Sequence, residues 1–381
     1  MSFILDEHRQ YLADEARTRA FHRAIGEVVK PGDVVVDLGA GTGILGLLAC
    51  RAGAKRVYSV EETAIIDLTR DLCRANGYED RVTLIKESST RAELPERADV
   101  VVADQIGEFG FDAGIFEYFR DARERFLKPD GVTIPSRIDL HVAPVEFRQM
   151  WERVEFWNTS PEGFDFSPVR ARAVNACYSV KLRPEQLLGE PATLASLDPS
   201  RAPATWLRLE ASCPVRRAGT LHGIGGWFFA LLSPNVTLSN SPLAEAPINR
   251  RAVFFPIASP VAVEEGDRVR ITMSIVPAET LMTWKVDVWG SAVQDRPKAT
   301  FTHSTFQGML LCKEDLQRTR PEFVPILTPW GEARRSILEL CDGKTPLAEI
   351  EKEVHRRHQA LFRSPAEAAQ FVAEVVTRYA R

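Results

Sequence analysis

The sequence lacks the features that mark several large functional classes. Its six cysteines, at positions 50, 73, 177, 213, 312 and 341, form no CxxC pair, so neither a zinc knuckle nor a disulfide framework is indicated, and no metal is expected. Cys50 and Cys73 lie in apolar, helix-like surroundings that suit a small buried thiol. No surplus of positive charge exists: 48 Lys and Arg stand against 52 Asp and Glu, a formal net charge of −4. That balance gives nucleic-acid binding no bulk electrostatic support. No apolar run approaches the roughly 20 residues of a membrane span. The N-terminal "MSFILDEHRQ" has no basic stretch leading into an apolar one, so no signal peptide is expected. A cytoplasmic protein without nucleic-acid or membrane partners is the expectation. Repeats and low-complexity tracts are absent as well.

What is present divides into three textures. The 381 residues, 45% hydrophobic and 26% charged, suffice for two or three domains with proper cores. Over residues 1–135, the Val-rich runs "DVVVDL" (33–38), "RVYSV" (56–60), "RVTLI" (81–85) and "DVVVAD" (99–104) alternate with helix-like stretches, the pattern of a parallel sheet covered on both faces. Over residues 136–299, alternating strand patterns separated by turn residues predict an antiparallel barrel or sandwich. They include "TWLRLEAS" (205–212), "GWFFALLS" (226–233), "RRAVFFPI" (250–257), "RVRITMSI" (268–275) and "TWKVDVW" (283–289). One interruption, "FRQMWERVEFW" (147–157), has helical spacing. Over residues 300–381, Thr328-Pro329, Thr345-Pro346 and the capping box "SPAE" (364–367) open three helices, predicting a strand-plus-three-helix module.

The first strand runs into Gly39-Ala40-Gly41-Thr42-Gly43, and Glu61 ends the second strand. The glycines permit a tight turn and close approach of a ligand, and Glu61 can accept hydrogen bonds from both hydroxyls of a ribose. A GxGxxG dinucleotide fingerprint starting at Gly39 fails at Ile44. Asp37 beside the loop would repel a pyrophosphate but suits the ammonium group of S-adenosylmethionine. That cofactor is therefore preferred over NAD, with a ligand-free glycine turn as the remaining alternative.

At these residues the chain resembles the protein arginine methyltransferases. The similarity runs from about residue 8 to 290, through "HRQYLADEART" (8–18), "DLGAGTGIL" (37–45), Glu61, "ARERFLKPDGVTIPSR" (122–137) and "GFDFS" (163–167). It implies an α/β, Rossmann-like domain binding S-adenosylmethionine, an antiparallel β-barrel, and a helical arm over 147–170 that makes a homodimer. It further implies that His8 and Arg17 close over the cofactor, with Arg17 on its carboxylate. Gly39 would be a backbone contact, with Gly41 and Gly43 completing the loop. Glu61 would be the ribose acid, and Thr90 stands where the family has a glutamate near the adenine.

The stretch "VVADQIGEFGFDAGIFEYF" (100–118) departs from that family. The family clamps its substrate guanidinium with two glutamates; the matching positions here are Asp104 and Ala113. The family's Thr-His-Trp loop matches Pro247-Ile248-Asn249. A guanidinium prefers planar bidentate partners, so methylation of protein arginine is not expected. Asp104, Glu108 and Asp112 are the candidate catalytic acids, in a pocket expected to favour a cationic or hydrogen-bonding amine, amide or hydroxyl. Asp104 would orient or deprotonate the nucleophile.

"ILELCDGKTPLAEIEKEV" (337–354) is similar to the small winged-helix domains that recognise precursor peptides in ribosomal peptide pathways, as in pyrroloquinoline-quinone biosynthesis. The similarity implies capture of a peptide as an added strand. Ile337, Leu338, Leu340, Leu347 and Ile350 at helical spacing equally suit a plain core. Three functions follow: a methyltransferase on a peptide or natural-product intermediate, one on a small metabolite such as a free amino acid, or a non-catalytic S-adenosylmethionine-binding scaffold.

Overall fold

A computed structural model describes residues 4–202, 206–292 and 295–380. The chain forms two compact units, Met1–Met309 and Leu310–Arg381. In the first, two helices, α1 (Ile4–Ala13) and α2 (Glu15–Val28), precede five strands: β1 (Val34–Leu38), β2 (Arg56–Val60), β3 (Val82–Ile85), β4 (Ala98–Ala103) and β5 (Leu127–Ile134). They pair in parallel in the order β3-β2-β1-β4-β5. Every residue of β1 is buried, as expected of a strand covered on both faces. The order reverses between β1 and β4, and a crevice at such a switch point is where open α/β sheets bind ligands. The helices between strands are α3 (Ile44–Ala52), α4 (Ile65–Ala75) and α5 (Ile115–Arg125).

The antiparallel part contains β6 (Arg137–Val145), β7 (Tyr178–Val180), β8 (Ala192–Leu197), β9 (Leu207–Pro214), β10 (Gly219–Ser233), β11 (Val236–Ser239), β12 (Ala252–Val263), β13 (Arg268–Val276), β14 (Leu281–Trp289) and β15 (Ala299–Ser304). One sheet has the order β7-β12-β10-β6-β8, with β11 on β10; the other has β15-β14-β13-β9. Phe255 joins them, packing on Trp284 at 5.4 Å between ring centroids. Thr205 of the predicted run 205–212 lies outside the described residues, and the strand there is Leu207–Pro214. Residue 299 does not end this body. Ala299–Ser304 pairs with β14 from Val288↔Ala299 to Thr283↔Ser304, so the unit continues to Met309.

The helical interruption is α6 (Arg148–Glu155), continued by short turns to Val169. Trp151 on this arm is half-buried. Its indole nitrogen donates to the Ile257 carbonyl at 3.1 Å, anchoring the arm to its own barrel. The outward apolar surface is instead Phe156, Phe164 and Phe166, with Phe164 69% exposed.

The second unit holds helices Lys313–Arg318, Pro329–Leu340, Leu347–Arg357 and Pro365–Tyr379, around a core of Ile337, Ile350, Val354, Phe362, Phe371 and Val372. Thr328 and Ser364 cap their helices through their hydroxyls. Thr345 does not cap the third, whose N-cap is Pro346. Instead the Thr345 amide donates to Asp342. The expected strand is missing among the described residues of this unit, so no sheet edge is present there to receive a peptide. No helix of the described residues is long and apolar enough to cross a membrane.

Candidate active site

A cavity of about 480 Å³ opens at the carboxyl ends of β1 and β4. It is lined by α1, the glycine loop, the loop after β4, and residues 249–251. A smaller space of about 80 Å³ adjoins it between Glu61, Glu87, Ser88, Ser89 and Tyr118. Gly39 and Gln105 line both.

The glycine-loop side of the cavity is built mostly of backbone. Gly39, Gly41 and Gly43 have φ of 65°, 54° and 76°, a region that L side chains rarely adopt. The His8 ring lies against Gly41, with its Cε1 2.5 Å from where a Cβ would stand. Glu61 accepts from the Gly41 amide at 3.1 Å and the Thr63 amide at 2.9 Å, so it already faces the loop. Asp37 is not on the cavity wall. It is fully buried beneath the loop, and Oδ2 accepts from the Gly46 amide at 2.9 Å at the start of α3. Its Oδ1 has no partner, and burial pushes the carboxyl up to about 7. An unpartnered buried carboxylate oxygen beneath an open glycine turn fits a ligand with a cationic end. Thr90 is exposed, bonding to Ser88 at 3.1 Å. Ser88 and Ser89, which the sequence reading passed over, line the smaller space instead.

The opposite side, at the loop after β4, is built of charge. Asp104, its side chain 7% exposed, is bound by the Arg17 Nε and by both terminal nitrogens of Arg250, at 3.2 and 3.0 Å. Burial alone would raise this carboxyl, but the charges of Arg250 and then Arg17 outweigh it and hold it below the usual carboxylate range. The same balance raises Arg250, where burial opposes and the Asp104 charge prevails. Asp104 is therefore neither a free anion nor an available base.

The other two candidate acids are engaged differently. Glu108 lines the cavity and accepts from the Ser179 hydroxyl at 2.5 Å. Asp112 does not line it. Its carboxylate accepts from the Glu108 and Phe109 amides at 3.0 and 2.8 Å, tying the loop whose Phe109 and Phe111 are buried. Ile248 is buried, and Asp14 fastens this corner by accepting from the Arg17 amide at 3.1 Å and the Asn249 amide at 2.7 Å. The expectation of an acidic pocket thus gives way to one in which acids and guanidinium groups are interlocked. Arg250 was the residue missed. Its signal was the Arg250-Arg251 pair immediately after Pro247-Ile248-Asn249.

Two family models match: the arginine methyltransferase oligomerization subdomain over residues 136–289, and ribosomal protein L11 methyltransferase (PrmA) over residues 16–142. Protein arginine N-methyltransferase 6 of Xenopus laevis is 31% identical over 287 residues, covering 71% of this chain and 84% of that protein. The chain belongs to the protein arginine methyltransferase family. It is an S-adenosylmethionine-dependent methyltransferase. Among solved structures, that of Arabidopsis thaliana protein arginine methyltransferase 10 is similar with a TM-score of 0.70 and 24% identity, covering 79% of this chain and 98% of that one. A Trypanosoma brucei PRMT1 enzyme–prozyme complex with AdoHcy also gives a TM-score of 0.70, at 21% identity, covering 78% and 97%.

Proposed function

We propose that this methyltransferase acts on an amine, amide or hydroxyl of a peptide or natural-product intermediate rather than on protein arginine. The observation that carries this reading is the Arg250 guanidinium on Asp104. The position of the family's first clamping acid already holds a guanidinium, and the second position is Ala113. His8, Arg17, Gly39, Gly41, Gly43 and Glu61 would hold S-adenosylmethionine, with Ser88 and Ser89 in place of Thr90 at the adenosine end. When bound, the cofactor supplies the methyl group of its sulfonium. The chain contributes orientation: Asp104 fixes Arg17 and Arg250, and Glu108 with Ser179 borders the acceptor. Positioning of this kind accounts for much of the rate of a bimolecular transfer. The assay is transfer of labelled methyl from S-adenosylmethionine to glycine-arginine-rich and histone-tail peptides. Background counts are expected, and turnover on those peptides overturns the reading.

A homodimer through 147–170 belongs to the same reading. Phe164 and Phe156 are exposed on the arm, and apolar surface of this kind marks interaction sites. Phe164→Glu should weaken self-association at least tenfold in sedimentation, whereas a wild-type monomer at micromolar concentration removes the arm from the account. Delivery of a peptide by the second unit belongs to the same reading, but without strand addition, since the described residues there form helices alone.

A further inference from the structure

We infer that the acceptor carries a carboxylate, and that Arg250 is the residue that holds it. This rests on the reading that the acceptor is not a guanidinium, and it names the group recognised in its place.

The cavity wall carries more unused hydrogen-bond donors than acceptors. A guanidinium has five N–H groups. The Arg250 side chain directs one from each terminal nitrogen at Asp104 and makes no other hydrogen bond to a described residue. Its Nε–H and the second N–H of each terminal nitrogen remain available. Arg251 also lines the cavity and makes no ion pair with a described residue.

The acids of the same wall are already engaged. Asp14 accepts from two backbone amides, Asp104 from two guanidinium groups, and Glu108 from Ser179. Ala113 contributes none. Glu108 uses only Oε1 for that bond, so the wall sets the spare N–H groups of Arg250 and the unpaired Arg251 against a single open carboxylate oxygen, a balance of donors that suits an anion at Arg250. Arg250 is also held in place for the task. Asp104 fixes the end of its guanidinium, its side chain is only 14% exposed, and its Cζ lies 6.0 Å from the centre of the Phe228 ring. A planar fork fixed in this way recognises a carboxylate bidentately, and partial burial strengthens the bond relative to water.

The test uses the full chain saturated with S-adenosylhomocysteine, so that Arg17 and the cofactor end are occupied. Binding of N-acetylglycine and of its uncharged analogue N-acetylglycinamide is compared by protein-observed NMR. The carboxylate is expected to bind at least tenfold more tightly than the amide. Arg250→Gln should abolish that preference, and Arg250→Lys should retain part of it. Both variants should bind S-adenosylhomocysteine within threefold of wild type, which excludes misfolding and excludes Arg250 as the holder of the cofactor's own carboxylate. Equal binding of the two probes overturns the inference. So does a preference that survives Arg250→Gln, or a loss of S-adenosylhomocysteine binding on that substitution. None of these outcomes depends on whether arginine peptides are methylated, which judges the reading beneath it separately.

Discussion

The two ends of the cavity use different materials. The cofactor end is made of backbone: three left-handed glycines, the amides of a loop, and one acid, Glu61, that reaches back to them. The acceptor end is made of side-chain charge, with one buried carboxylate shared by two guanidinium groups. Backbone shape is set by adjacent residues. A charge network is set by whichever residues the fold brings together, and Arg250 is 146 positions from Asp104. A few substitutions can thus change the charge-built end without touching the backbone-built one.

The largest expected effect falls at the charge-built end. Asp104→Asn leaves two buried guanidinium groups without their anion and should lower stability by about 3–5 kcal/mol in chemical denaturation. Asp104 is held below its ordinary value by the two guanidinium charges, against burial. Its contribution is therefore present above the unfolded value and should be lost as pH falls through the folded one, in the acid range. Glu61→Gln, at the half-buried cofactor end, should change stability by less than about 1 kcal/mol. Equal losses from the two substitutions would erase the contrast.

The next effect has the opposite sign with pH. The Asp37 carboxyl, raised to about 7 by burial, retains its proton in the folded chain after the unfolded chain has released it. Its ionisation should therefore remove stability as pH rises from about 4 to about 7. On cofactor-free protein, Asp37→Asn should gain on the order of 4 kcal/mol over wild type across that interval. Parallel pH profiles for the two proteins would show that the buried carboxyl titrates normally.

A smaller effect distinguishes residues within the cofactor end. Glu61→Ala should weaken S-adenosylhomocysteine about tenfold, near 1.4 kcal/mol, whereas Thr90→Ala should leave affinity within twofold, since Thr90 does not line either space. Calorimetry reads both, and a reversed order would return the adenosine contact to Thr90.

The distinction between backbone and charge also governs what could be read from the chain. The Val-rich runs became β1 to β4: β1, β2 and β4 are almost wholly buried, which needs uninterrupted apolar residues, and β3 at the sheet edge is half-buried. The glycine loop was legible because positive φ favours one residue type. Asp112 was misread as catalytic. An acid in a glycine-spaced loop has the same local appearance whether it meets substrate or, as here, the amides of Glu108 and Phe109. Arg250 was passed over because a basic residue at the head of a strand is usually solvated, and only the fold turns it toward Asp104. The strand expected within residues 300–381 is there as Ala299–Ser304, but it pairs with β14 in the first unit, a partner that no local pattern reveals, whereas Thr328 and Ser364 mark their helices by their own caps.

The measurement closest to the central claim is a double-mutant cycle between Asp104 and Arg250, using Asp104→Asn, Arg250→Gln and both together, read by denaturant unfolding of the full chain. An ion pair that organises the acceptor end should give a coupling energy of about 2 kcal/mol or more, with the double variant more stable than the sum of the single losses allows. Additive losses within about 0.5 kcal/mol would mean that Arg250 does not hold Asp104 in solution, and would leave the acid open to a substrate cation after all.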